Sequence, residues 1–190
     1  ASDGTLTIKT EFSPVATAES AGLAVSTGAA VGVSRSDVTI GGSIISRLDA
    51  GNVNNKPIIV GALTIHADNK AANGKGSSAK ATGASGGLLI GANGAIAYNT
   101  NTTKSTAEIA DNNASSPLSS AINVKDKTDI RVDSATSQTA EAGSLAVGLL
   151  SSGNTLTEAK SDNETTARIG KKVRLTTREL DLQSISTDKN

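Results

Sequence analysis

The chain has 190 residues, 18 basic and 18 acidic side chains and no formal net charge, with one Phe, one Tyr and no Trp, Met or Cys. The charge balance is kept locally, four basic against five acidic groups over residues 1–60 and eight of each over residues 131–190, which argues against a basic face for nucleic acid. No apolar run approaches the roughly 20 residues of a membrane span, and a core without large aromatics must be thin and filled by Ala, Gly, Val, Ile and Leu.

The first predicted element is the alternation Leu6-Thr7-Ile8, followed by Ala16-Thr17-Ala18 and a glycine-rich stretch from Gly22 to Gly32. The same order returns twice. Leu63-Thr64-Ile65 precedes Ala79-Lys80-Ala81 and Gly83 to Gly94, and Ile130-Arg131-Val132 precedes Ala140-Glu141-Ala142 and Gly143 to Gly153. A fourth alternation, Leu180-Asp181-Leu182, lies near the C-terminal end. The unit is roughly 50–65 residues, so residues 1–190 read as one segment holding about three copies, a period typical of stacked architectures. The spacing of two within each alternation is that of a strand. It predicts Leu6, Ile8, Leu63, Ile65, Ile130, Val132, Leu180 and Leu182 inward, and Thr7, Thr64, Arg131 and Asp181 outward.

Upstream strands are expected at Ile58-Ile59-Val60, Ile122-Asn123-Val124 and Val173-Arg174-Leu175. The glycine stretches hold Leu23-Ala24-Val25, Leu88-Leu89-Ile90 and Leu145-Ala146-Val147, read as short strands with glycines where layers approach closely. Polar strands or turns follow at Asn99 to Thr106 and Lys160 to Thr166, and Ile45, Ile109 and Ile169 bring the chain back to the core. Pro14, Pro57 and Pro117 fall between strands, and Asp49 to Pro57 and Asp111 to Ser120 are the expected loops, with Gly74-Lys75-Gly76-Ser77-Ser78 one more turn. No helix is expected, because the runs carry too much Gly and too many β-branched residues.

Chemistry is sparsely written. Gly83-Ala84-Ser85-Gly86-Gly87 matches the G-x-S-x-G elbow, but that elbow needs a helix after it and a base beyond it, and the one histidine, His66, comes before. His66 reads as a lone surface histidine, since zinc would need further His or Cys ligands. Gly74-Lys75-Gly76-Ser77 lacks the spacing of a phosphate loop. Asp111-Asn112-Asn113 and Ser161-Asp162-Asn163-Glu164 read as turns rather than cation sites. Glu158, Asp162 and Glu164 have no apolar wall to set up acid–base work on a sugar. Lys171, Lys172, Arg174 and Arg178, beside Glu179 and Asp181, read as a solvated, ion-paired face. No catalytic, cofactor-binding or metal-binding residue is therefore expected.

The L-x-I strand, the A-x-A element, the stretch Gly87 to Ala97 (GLLIGANGAIA), and Thr106-Ala107-Glu108-Ile109-Ala110 with Thr166-Ala167-Arg168-Ile169-Gly170 together resemble the repeats of very large bacterial exoproteins. These are the filamentous-haemagglutinin-like and leukotoxin-like proteins of two-partner secretion and related autotransporters. The resemblance implies an all-β, right-handed parallel β-helix, a repeat-region segment of a longer array. It implies a stalk or adhesive shaft of a secreted or cell-surface bacterial protein, adhesin or toxin, with no chemistry of its own. Neighbouring repeats, end-to-end copies and a host-cell or bacterial surface are the expected partners. The alternatives are a polysaccharide-active β-helix enzyme and a trimeric autotransporter head, whose repeat is shorter.

Overall fold

The structure, a computed structural model, describes residues 4–49, 57–71, 76–112 and 121–189. Every regular element among them is a β-strand, and every pairing between strands is parallel. The first layer holds β1 (Thr5–Phe12), β2 (Thr17–Ser26) and β3 (Ala29–Leu48). The second holds β4 (Ile58–Val60), β5 (Ala62–Lys70), β6 (Ser77–Gly87) and β7 (Ile90–Ile109). The third holds β8 (Ala121–Val124), β9 (Lys127–Val147), β10 (Leu150–Ser161) and β11 (Glu164–Ile169), and the last β12 (Arg174–Thr176) and β13 (Glu179–Lys189).

Each repeat copy lies on the one before it. One stack runs β1-β5-β9-β13, a second β2-β6-β9, a third β3-β7 with β10 and β11, and a fourth β4-β8-β12. The long strand β9 serves the first stack with its front half and the second with its back half, which joins the two into one strongly curled sheet. Parallel neighbours cannot be joined by a tight hairpin. Here the connection from one strand to its partner is a whole repeat, which accounts for the long period.

Register puts like on like and corrects the motif alignment. Ile8, Ile65, Ile130 and Leu182 form one column, and Leu6, Leu63, Thr128 and Leu180 the next. Ile130-Arg131-Val132 is thus displaced by two residues from the place expected for it, because Thr128 occupies the column of Leu6 and Leu63. Ala18 rather than Ala16 meets Ala79 and Ala140, and Leu175 rather than Val173 meets Ile122. All three slips are even, so every side chain keeps its expected face.

Leu63, Ile65, Ile130 and Val132 are fully buried, whereas Thr64 and Arg131 are partly exposed, as the alternation requires. Leu180 and Leu182 keep the inward column but are 48% and 46% exposed, more than Asp181 between them, because a layer covers them on one side only. Ile45 is a further correction. It is exposed on the outer face, and Leu48 shares the column of Ile109 and Ile169 in its place. Even-numbered residues of β3 are buried from Ala30 to Ile40 and, after the exposed Gly41 to Ser43, again at Ile44 and Ser46, which leaves odd-numbered Ile45 outside.

Two apolar clusters fill the interior. One gathers Ile44, Leu63, Ile65, Ile109, Ile122, Ile130 and Val132; the other, of smaller side chains, gathers Val38, Ile40, Ala79, Ala81, Ala95 and Ala97. Between them the interior is polar. Asn69, Asn99, Asn101, Thr103, Ser134, Thr136 and Gln138 are buried, so the polar stretch Asn99 to Thr106 is a strand whose alternate side chains point in. Most buried polar groups are hydrogen-bonded, although Asn69 Oδ1 and Gln138 Oε1 have no hydrogen-bond partner among the described residues. Asn99 Nδ2 donates to the carbonyls of Ser77 and Thr139, Ser77 Oγ to Asn99 Oδ1, and Gln138 Nε2 to Thr136 Oγ1.

Beyond the second cluster the two main sheets close to near contact. A Cβ on Gly22 would stand 2.9 Å from the carbonyl oxygen of Val33, and one on Gly32 2.9 Å from that of Ala84. Only glycine allows backbones so close. The sheets meet at the bends Thr27-Gly28, Leu88-Leu89 and Gly148-Leu149, so Leu88 and Leu89 are a bend rather than the strand expected, and β7 begins at Ile90. The expected loops over residues 50–56 and 113–120, and Gly74 and Lys75 of the expected turn, lie outside the described residues.

Candidate functional site

The outer faces carry charge in an ordered way. On a strand, residues i and i+2 share a face; Arg35–Asp37, Lys70–Asp68 and Arg131–Asp133 pair along their own strands, and Arg47–Asp49 and Lys160–Asp162 repeat the spacing just past the ends of β3 and β10, all at 2.7–3.0 Å. Lys9 pairs with Glu11 in the same way. Other pairs bind one layer to the next. Glu108 lies between Arg47 and Arg168, its neighbours in register, at 3.7 and 2.6 Å. Lys127 holds Glu179 and Asp181 at 3.0 and 3.4 Å.

His66 stands on the outer face, as its parity requires, but it has a partner. Its Nε2 is 2.9 Å from Asp133 Oδ2 in the next layer, and Asp133 also accepts from Arg131 Nε and Nη2. Burial pushes the Asp133 carboxyl up; the hydrogen bonds from Arg131 and His66 outweigh it and hold it below the ordinary carboxylate range. This is a base held by an acid, with Arg131 saturating the carboxylate. It brings no nucleophile: Ser85 lies on β6, buried, its hydroxyl without a hydrogen-bond partner among the described residues, and β7 rather than a helix follows. The elbow reading fails on geometry.

The remaining candidate residues are scattered. Asp111 accepts from the backbone N–H of Lys171 at 2.8 Å, the leading reason its carboxyl sits below the ordinary range. Asn163 Nδ2 lies 2.9 Å from each of Thr136 Oγ1, Ser161 Oγ and Asp188 Oδ1, which share its two protons, and this makes it a brace between layers. Glu164 pairs with Lys104 and Asp162 with Lys160, so neither is available as one of a carboxylate pair with Glu158. In the basic cluster Arg178 pairs with Asp126 at 2.9 Å, while Glu179 and Asp181 belong to Lys127. Lys172 sits in a turn at φ 57° rather than on a strand beside Val173. No group of three or more His, Cys, Asp or Glu among the described residues is arranged to hold a metal ion.

A shallow groove of mixed chemistry on the outer face was not legible from the alternation. Asp37, Tyr98 and Glu158 stand in one column across three layers, and Thr39, Thr100 and Arg35 complete a shallow groove around them. Arg35 donates through Nε to Asp37 Oδ2 at 2.7 Å, and its guanidinium carbon lies 5.4 Å from the centroid of the Tyr98 ring. Three parallel layers separate Asp37 from Glu158 by about 10 Å of sheet. The signal available in sequence was Tyr98 itself, the chain's one tyrosine. Neither a protein-family model, nor a curated protein, nor a solved structure matches this chain.

Proposed function

We propose that the segment is a right-handed parallel β-helix and that it serves as a shaft in a secreted or cell-surface bacterial protein, stalk or adhesin, as its repeat grammar implies. The observation that carries this reading is the layer-on-layer register, in which each copy of the repeat lays its aliphatic column on that of the previous copy. A structure of this kind lengthens by adding copies, and each layer needs only its neighbours. The half-exposed Leu180 and Leu182, aligned over Thr128 and Ile130, offer the next layer, from the same chain or from a second copy, an apolar seat.

The test is modularity. Duplicating Leu63 to Lys127 in tandem adds one whole layer, since Leu63 and Thr128 share a column. The duplicated chain is expected to fold and to unfold at higher denaturant with a larger m-value. A duplicated chain that unfolds earlier than the parent would contradict the shaft. Antibodies against the segment should label intact source cells; label confined to lysed cells would contradict the surface location.

A second reading, a polysaccharide-active β-helix, is favoured by the Asp37–Tyr98–Glu158 column. It sets two carboxylates on one face with an aromatic ring between them, the kind of acid pair that glycosidases use. Against it, Asp37 is already paired with Arg35. Release of reducing sugar from polysaccharide, lost in Glu158→Gln, would establish it.

A further inference from the structure

One corner of the polar interior brings together the parts of an acyl transfer. Thr136 on β9 is only 5% exposed, and its hydroxyl donates to Asp188 Oδ1 on β13 at 2.5 Å, a short charge-assisted hydrogen bond. The carboxamide of Asn163, between β10 and β11, stands beside both. Its Nδ2 is 2.9 Å from Thr136 Oγ1 and 2.9 Å from Asp188 Oδ1. Its Oδ1 accepts from the backbone N–H of Thr103 on β7 at 3.2 Å. A hydroxyl, a carboxylate bonded to it, an amide, and an N–H on the amide oxygen therefore stand as nucleophile, base, electrophile and oxyanion donor. The carboxamide is not locked in one plane. Its two protons serve three oxygens at equal distance, Ser161 Oγ being the third, and the Thr103 N–H is shared with Asn101 Oδ1.

We propose that the chain forms an ester bond on itself, between Thr136 Oγ1 and Asn163 Cγ. Asp188 takes the hydroxyl proton as Oγ1 adds to Cγ, and the Thr103 N–H stabilises the charge that gathers on Oδ1. The Cγ–Nδ2 bond then breaks, Asp188 passes the proton to Nδ2, and ammonia leaves. Asp188 ends as it began, and the step consumes no oxidant, reductant or co-reactant. Cγ is one bond of about 1.33 Å from Nδ2, so it lies no more than about 4.2 Å from Oγ1. A turn about the soft Cβ–Cγ torsion presents its face to the oxygen, close to the separation of about 3–3.5 Å from which such a step proceeds. The surroundings select this pair. Gln138 Nε2 also donates to Thr136 Oγ1, at 3.0 Å, but Gln138 Oε1 has no hydrogen-bond partner among the described residues and so no donor for the developing charge. Ser161 Oγ touches the same amide but has no hydrogen bond to a carboxylate among the described residues. The step happens once in the life of each chain, so a slow reaction is enough. The bond would tie residues 27 positions apart across the interior, in a chain that has no cysteine for a disulfide. The inference does not depend on the shaft reading.

The experiment is mass spectrometry of the whole folded chain after prolonged incubation at neutral pH, followed by tryptic digestion. The expected mass is below that of the sequence by about 17 Da, the mass of the ammonia lost when an amide becomes an ester. The tryptic peptides 132–160 and 161–168 should be recovered joined, with fragment ions placing the link at Thr136 and Asn163, and hydroxylamine should separate them. Thr136→Ser should keep the bond and Thr136→Val should lack it. Asp188→Asn should slow its formation by about a hundredfold. A parent chain at its full sequence mass would overturn the proposal. So would loss of ammonia with the two peptides unjoined, which a succinimide at Asn163 gives, or joined peptides in Thr136→Val. Equal rates in the parent and Asp188→Asn would overturn it as well. The deciding mass is that of the parent, so a variant that fails to fold does not shield the proposal.

Discussion

Glu108 and Arg168 lie in adjacent layers with 2.6 Å between carboxylate and guanidinium, and Arg47 approaches the same carboxylate from the layer on the other side. Glu108 has a side chain only 6% exposed, while both arginines are about half exposed. A buried acid flanked in register by two bases is a clamp across three layers. Glu108→Ala should cost about 1–2 kcal/mol, below the usual figure for a broken buried pair because water screens the arginines. Arg47→Ala, at the longer contact, should cost about 0.5 kcal/mol or less. Denaturant midpoints of the two variants check both the size and the order.

The faces of β5 make a matched test. Ile65→Asp places a charge in the first apolar cluster, where Ile65 is fully buried, and should cost more than about 3 kcal/mol or prevent folding. Thr64→Lys, one residue away and facing Asp129 in the next layer, should stay within about 0.5 kcal/mol of the parent. Equal losses in midpoint would reverse the assigned faces.

The near contact of the two sheets predicts opposite outcomes at two glycines. Gly32→Ala forces a Cβ toward the carbonyl of Ala84 and should destabilise by about 1–3 kcal/mol. Gly94→Ala meets nothing within 4 Å and should stabilise by about 0.5 kcal/mol through the unfolded chain. Thermal melts of both variants decide it.

Acid should act through Asp133. Its folded carboxyl lies below the unfolded value of about 3.9. Its contribution is therefore complete above that value and is lost as pH falls through the lowered one. Melting temperature should drop on acidification below about pH 4, and Asp133→Asn should make that drop shallower. An unchanged acid limb in the variant would contradict the role given to the Arg131 and His66 hydrogen bonds.

Face was legible in the sequence and register was not, for one physical reason. Side chains alternate with period two, so Ile130 points inward whether it lies on Leu63 or on Ile65. The choice between those columns depends on Thr128, which looks unlike the leucines it stacks with. The polar interior escaped for a related reason: Asn99, Asn101 and Thr103 are read as solvated until hydrogen-bond partners such as Ser77 and Thr139, far away in sequence, are seen beside them. Ile45 was misplaced by weighing its type above its parity. For the groove at Tyr98, the alternation puts the tyrosine outside but cannot bring Asp37 and Glu158 into its column.

The central claim is the parallel, in-register stacking of repeat copies, and the absence of cysteine permits a clean test of it. Lys80 and Glu141 are paired in register on the outer face of β6 and β9. Parallel neighbours stand about 4.8 Å apart, within the Cα range of a disulfide. Two residues further along, at Gly143, the separation from Lys80 grows to about 8 Å, outside it. Under mild oxidation Lys80→Cys/Glu141→Cys should form an intramolecular disulfide, and Lys80→Cys/Gly143→Cys should not. Bridging of the second pair in preference to the first, or of neither, would contradict the stacking.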